Sequence, residues 1–250
     1  MGSFQRRAGQ SVVRGLLAAI GFLTRVPVPA KVFDGAATPS ASLAWYPVVG
    51  LLIGGLLYGL SWLLTAAPPM LAAALLLLAW VALTGGLHLD GLADSADAWV
   101  GGLGDRERTL TIMKDPRSGP MGVTALVLVL LLKFAALASL PPHSAALWLA
   151  PLLARAALTG AFMVTPYVRS GGLGSGLVGT SRLACAAGLA FACVVSLSDG
   201  WHGVRALVVA LVVFGAWRLA CMRRLGGMTG DTCGALAELT EAAVLVALAL

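Results

Sequence analysis

Three aspartates, Asp90, Asp94 and Asp97, stand at i, i+4 and i+7 in the stretch Gly85-Gly86-Leu87-His88-Leu89-Asp90-Gly91-Leu92-Ala93-Asp94-Ser95-Ala96-Asp97. At 3.6 residues per turn they share one helix face. Carboxylates one turn apart are roughly 6 Å from each other, and at an effective dielectric of ~20 each like pair costs about 3 kcal/mol. A divalent cation offsets that repulsion most simply, and an oxygen-only ligand set favours Mg²⁺ over softer metals. The bland alternative is a solvated acidic turn. The chain has only 11 Asp and Glu in 250 residues, so three on one stripe favour the metal. Gly86 falls on the same face one turn earlier, where it would let a neighbour or ligand come close. His88, on a continuous helix, points nearly opposite the aspartates. It is either a substrate-binding or proton-carrying group or an interfacial histidine.

Two further segments carry charge. Met113-Lys114-Asp115-Pro116-Arg117-Ser118-Gly119-Pro120 precedes a long apolar run. The start of that helix would offer free backbone N–H groups, and Lys114 and Arg117 add positive charge, which together suit a phosphate. A merely basic loop explains the same residues. Farther on, Asp231 and Glu238 share a helix face at i, i+7 with Gly234 between them. Acids inside an apolar segment are costly and mark function or pairing. They read as a second acidic wall that helps hold metal or orient a nucleophile. The alternative is pairing with Lys133 or Arg155, two cations deep in apolar runs, with Glu241 as the structural acid. Arg169-Ser170-Gly171-Gly172-Leu173-Gly174-Ser175-Gly176 could cradle phosphate or close over a substrate; a plain connection is slightly preferred.

The elements that must position these groups are apolar. The chain is 59% hydrophobic and 11% charged, with a mean hydropathy of +0.91, against roughly 25% charged residues in soluble domains. Lipid admits only helices or closed barrels, and runs such as 71–82 and 123–132 lack the period-2 alternation of a barrel strand. The fold class is therefore all-α: a polytopic membrane bundle, one domain over 1–250. About seven spans are expected, near 43–65, 68–88, 121–140, 144–165, 183–199, 202–222 and 232–250, each near the ~20 residues a crossing needs. A short interfacial or re-entrant segment, near 11–29, precedes them. Arg25, Pro27 and Pro29 argue against a cleaved signal peptide there.

The formal charge of +6 reads as topology and gives no sign of nucleic-acid binding. The short loops 66–69, 141–143 and 198–202 hold no Lys or Arg, while Lys31, Arg106, Arg108, Lys114, Arg117, Arg169, Arg182, Arg223 and Arg224 fall on the other side with the N-terminal arginines Arg6, Arg7 and Arg14. That side is then cytosolic, and it also carries every charged motif. Cys185, Cys193, Cys221 and Cys233 form no C-x-x-C pair and read as small buried hydrophobes.

Phe22-Leu23-Thr24-Arg25-Val26-Pro27-Val28-Pro29, the 88–97 acidic stretch, 113–119 and 226–238 together resemble the cobalamin synthase family, also called adenosylcobinamide-GDP ribazoletransferase. The motifs occur in matching order and frame the chain. The resemblance implies an enzyme of the bacterial inner membrane, with its site facing the cytosol. It would join adenosylcobinamide-GDP to α-ribazole 5′-phosphate (or α-ribazole), release GMP and require Mg²⁺, with other cobalamin-assembly enzymes as possible partners. The family's motif acids fall on Asp90, Asp94, Asp97, Asp115, Asp231 and Glu238, its basic positions on Lys114, Arg117 and Arg25. Ala98-Trp99 and Pro116 depart from the usual pattern without removing a charge. On this reading Asp90, Asp94 and Asp97 bind metal. Asp94 or Asp231 accepts the hydroxyl proton, Lys114 and Arg117 serve the phosphates, and Arg25, His88, Asp115 and Glu238 contact substrate. A CDP-alcohol phosphotransferase is the closest rival, but its D-x-x-D-G-x-x-A-R pattern is absent. A transporter would centre on Lys133 and Arg155 and expect repeats, which the chain lacks. A purely structural scaffold would leave the acidic stripe unexplained.

Overall fold

Backbone N–H and C=O groups in hydrocarbon must find partners within the chain, and here they do so in helices. The computed structural model describes residues 2–33, 38–169, 173–177 and 179–250, with side chains described at 12–33, 40–169, 174–177 and 179–250. The side chains of Arg6 and Arg7 and the positions 170–172 of the glycine-rich loop lie outside the described residues. The helices are α1 (Gly2–Leu23), α2 (Thr38–Ser42), α3 (Tyr46–Leu63), α4 (Pro69–Thr84), α5 (Leu87–Gly101), α6 (Arg106–Ile112), α7 (Pro120–Ser139), α8 (Ala146–Val164), α9 (Arg182–Leu197), α10 (Trp201–Leu225) and α11 (Gly230–Ala249). Among the described residues there is no strand, only an isolated parallel bridge between Tyr167 and Met228.

Five segments are long and apolar enough to cross a membrane: 40–63, 120–139, 146–164, 201–225 and 230–249. Pairing α4 with α5 as one broken span would make six, so the expected seven does not stand as a count. The two shortfalls have local causes. The span expected at 68–88 stops at Thr84 because Gly85 and Gly86 both adopt left-handed backbone, φ 64° and 70°, a conformation that costs glycine little. Then α5 departs at 89° to α4. It is 15 residues long, carries three acids and packs against α7 and α11. Helix α9 is held to 16 residues by Ser181, whose side chain caps its start, and by the 198–200 turn. Sixteen residues rise about 24 Å, short of the ~30 Å hydrocarbon core. The N-terminal segment is helical to Leu23, with an apolar part, 12–23, too short to span.

Helices α8 and α11 form the centre: two-thirds of each is buried, against 22% of α7 and 17% of α10. The outer faces of α7 and α10 present Val127, Leu128, Leu131, Val208, Leu211 and Val212, the apolar surface lipid requires. Inside, four charges join three helices. Lys133 of α7 donates to Glu238 (2.6 Å) and Glu241 (2.5 Å) of α11, and Arg155 of α8 donates to Glu241. Lys133 Nζ also lies 4.8 Å from the centre of the Trp80 ring, a favourable cation–π placement.

Candidate active site

Two glycines bring the acids together. A Cβ on Gly91 of α5 would come 2.7 Å from the Asp231 carbonyl oxygen and 3.1 Å from the Gly234 Cα, and one on Gly234 of α11 would come 3.0 Å from the His88 carbonyl oxygen. Only bare backbone fits at this crossing. It sets Asp90 and Asp94 of α5 beside Asp231 in the first turn of α11, along one cavity of about 450 Å³. The start of α11 is fixed by a capping box, Thr229 accepting from Thr232 N and Thr232 Oγ1 from Thr229 N. Asp231 sits where a helix N-terminus favours negative charge. The preceding loop is pinned by Met228 N donating to Pro166 O (2.8 Å) and Val168 N to Met228 O (2.9 Å). This short ladder delivers Arg169, whose Nη1 donates to Asp231 Oδ2 at 2.7 Å.

The residues expected from sequence divide in two. His88, Asp90, Asp94, Lys114, Asp115 and Asp231 all line the cavity. Arg25, Asp97, Arg117 and Glu238 are not among the lining residues. Arg25 stands at the Gly85–Gly86 turn, its N–H donating to Leu83 O (2.7 Å) and its guanidinium 3.5 Å from Gly85 O. Asp97 accepts from Gly119 N (2.6 Å) and Gly122 N (2.9 Å). The start of α7, expected to offer free N–H groups to phosphate, therefore spends two of them on a carboxylate of α5. Arg117 is exposed and makes a bidentate pair with Asp115, at 2.9 and 2.8 Å, which holds the Asp115 carboxyl down at about 2. Glu238 corrects the expected second acidic wall: it is buried and paired with Lys133, the alternative that the sequence left open, and so is Glu241. Gly86 lies outside the acidic helix, as its N-cap. His88 belongs to the same helix as the aspartates, Leu87–Gly101, and it too is among the residues that line the cavity. It is buried and has Nδ1 3.3 Å from Arg155 Nη2.

The pairing of Arg169 with Asp231 and the close approach at Gly91 are the features of the candidate site that sequence reasoning missed. Arg169 opens the loop read as a plain connection. The signal was indirect: Asp231, at the start of an apolar run, needed a cation, and its partner lies 62 residues away.

The electrostatics are those of a crowded acidic mouth. Burial first, then the charges of Asp90, Asp231 and Asp97, raise the Asp94 carboxyl to about 6, with Arg169 opposing. Among the described residues no group of three His, Cys, Asp or Glu forms a ready metal cage. Mg²⁺, however, commonly takes one or two carboxylates and fills its octahedron with water and substrate phosphate. Asp90 and Asp94, an all-oxygen pair set among further carboxylates, fit that demand.

A helical membrane bundle with a cavity at one end, walled by carboxylates and edged by Lys114 and Arg169, defines a multi-pass membrane enzyme. Residues 15–249 match the family model described as cobalamin-5-phosphate synthase, and the chain belongs to that family. A relative named adenosylcobinamide-GDP ribazoletransferase, from Pseudomonas syringae pv. syringae (strain B728a), is 56% identical over 239 residues, 93% of this chain and 97% of its own length. Proteins of the same name from Pseudomonas aeruginosa (strain PAO1; 96% of this chain, 100% of the relative) and Stutzerimonas stutzeri (strain A1501; 94% and 97%) are each 54% identical. No solved structure matches the chain. The family decides against the transporter and CDP-alcohol readings.

Proposed function

We propose that this chain transfers the cobinamide phosphate of adenosylcobinamide-GDP to α-ribazole 5′-phosphate and releases GMP. What carries the reading is the meeting of Asp90, Asp94 and Asp231 from two helices around one cavity edged by cations, within a family whose members bear the corresponding name. In the reaction the ribose 3′-oxygen forms a bond to the phosphorus bearing cobinamide. The bond from that phosphorus to the GMP oxygen breaks, and the hydroxyl proton passes to a base.

The chain's own groups divide that work. Asp90 and Asp94 would hold Mg²⁺, which when bound neutralises diphosphate charge. Asp231 then takes the 3′-hydroxyl proton, with Arg169 keeping its carboxylate oriented. Lys114, exposed at the rim, meets the charge that develops on departing GMP. Asp97 acts at one remove by fixing the start of α7 to α5. The Asp115–Arg117 pair shapes the loop bearing Lys114, and Arg25 holds the turn from which α5 departs. His88 forms part of the cavity floor, where it meets substrate.

The site faces the cytosol of a bacterium's inner membrane on this reading, because Arg106, Arg108, Lys114, Arg117, Arg223 and Arg224 crowd its end of the bundle. The test is purified protein with adenosylcobinamide-GDP and α-ribazole 5′-phosphate, with and without Mg²⁺, following GMP. Wild-type protein releases GMP only with the cation, and Asp90→Asn lowers the rate by about a hundredfold or more. Normal turnover by correctly inserted Asp90→Asn and Asp94→Asn proteins would remove the metal assignment.

A further inference from the structure

Resting on that reading, we propose that the inner, apolar half of the cavity seats the dimethylbenzimidazole base of the acceptor nucleotide. Its walls are Tyr46, Leu158, Phe162 and Leu177, with Phe22 and Tyr167 beside them. Three observations converge on this assignment.

The cavity is graded. Asp90 and Lys114 are exposed, whereas Tyr46, Leu158 and Leu177 are only 1%, 3% and 5% accessible. The carboxylates and Lys114 therefore sit toward the mouth, and the inner walls are apolar apart from the buried His88 imidazole, so a ligand with a largely apolar end and a phosphorylated end enters in one orientation. The apolar half is built from flat surfaces. Phe22 stacks on Tyr46 with ring centres 6.2 Å apart and planes 19° apart, and Phe162 stacks on Tyr167 at 5.8 Å and 21°. Such paired rings offer faces and edges to another planar ring.

The polarity then chooses between the two bases in the reaction. Guanine presents two donor groups and an acceptor along one edge, and leaving them unpaired in an apolar wall is costly. No amide or carboxylate lies among the six walls named, whose polar atoms are two tyrosine hydroxyls. The dimethylbenzimidazole edge carries methyl groups, which such a wall favours. Size agrees: about 450 Å³ lies in the range of roughly 300–1,000 Å³ for small-molecule sites. That is room for one nucleotide, while a corrinoid macrocycle stays largely outside. With the base at the bottom, the ribose reaches the level of Asp94 and Asp231, where its 3′-hydroxyl is needed.

Steady-state kinetics with each substrate varied in turn tests this. Phe162→Ala and Leu158→Ala are expected to raise KM for α-ribazole 5′-phosphate by about tenfold or more, leaving KM for adenosylcobinamide-GDP and kcat at saturating nucleotide unchanged. Wild-type enzyme given the nucleotide of unmethylated benzimidazole should show the same rise, a measurement independent of whether a variant folds. A rise in KM for adenosylcobinamide-GDP instead, or unmoved KM values with both variants and analogue, overturns the base site. Absence of GMP release by wild-type protein would overturn the underlying activity as well, so the two failures are told apart.

Discussion

At Asp94 the surroundings oppose ionisation, and that has a measurable sign. Its carboxyl is raised to about 6 by burial and by its acidic neighbours, so it is ionised at pH 7.5 and gains a proton as pH falls through 6. Metal binding needs the ionised form. The Mg²⁺ concentration giving half-maximal GMP release should therefore climb roughly tenfold per pH unit below ~6, one proton competing with one cation. In Asp94→Asn the requirement should be high and flat with pH. Glu238 makes a different residue-scale prediction. Its carboxylate pairs with Lys133 at 2.6 Å, away from the cavity lining. Lys133→Met leaves buried acids without their cation and should cost about 3–5 kcal/mol, read as a lowered Tm in detergent. The Lys133→Met/Glu238→Gln double variant should recover much of that loss. Glu238→Gln protein that survives purification should keep its KM for both substrates, which a substrate-binding role would not allow.

Among the elements, the α5–α11 crossing decides whether there is a site at all. Alanine is the better helix former by about 1 kcal/mol, so on propensity alone Gly91→Ala should stabilise. A Cβ there would come 2.7 Å from backbone of α11, and the helices must separate. Activity should fall by at least about tenfold, with Gly234→Leu worse, while circular dichroism shows the helices intact. The acidic face itself was legible in sequence, because i, i+4, i+7 spacing is a local property of a helix and α5 is one. Where that helix begins was less so: Gly86 looked like room for a neighbour or ligand, whereas Gly85 and Gly86, two successive left-handed residues, end α4 and turn the chain by 89°. The partners of Lys133, Arg155 and Asp231 lie 62 to 108 residues away. No periodicity reports them, so sequence offered only candidates for the charge pairing and missed that of Arg169 with Asp231.

For the whole molecule, hydropathy placed a helix near each of the seven expected segments, because lipid imposes composition residue by residue. It overcounted full crossings because it averages over breaks. The basic end of the bundle and the acidic cavity coincide, which yields an orientation test. Cys185, Cys221 and Cys233 are buried as expected, whereas Cys193, expected to be buried too, is exposed on α9; with Cys193 replaced by Ser, added thiols can be followed against the parent chain. Pro142→Cys, exposed in the loop at the far end, should react with a membrane-impermeant maleimide on intact spheroplasts. Thr111→Cys, exposed on α6, should react only after lysis. The four-charge cluster bears on how such a chain can be made. Lys133 and Arg155 emerge from the ribosome about a hundred residues before the carboxylates that match them. During that interval α7 and α8 each carry a lone cation that lipid rejects. They must linger beside the insertion machinery, or displaced toward a headgroup, until α11 arrives. Final assembly of the membrane core therefore waits on the same helix that brings Asp231, and a chain stalled before it would lack both its buried pairing and its site.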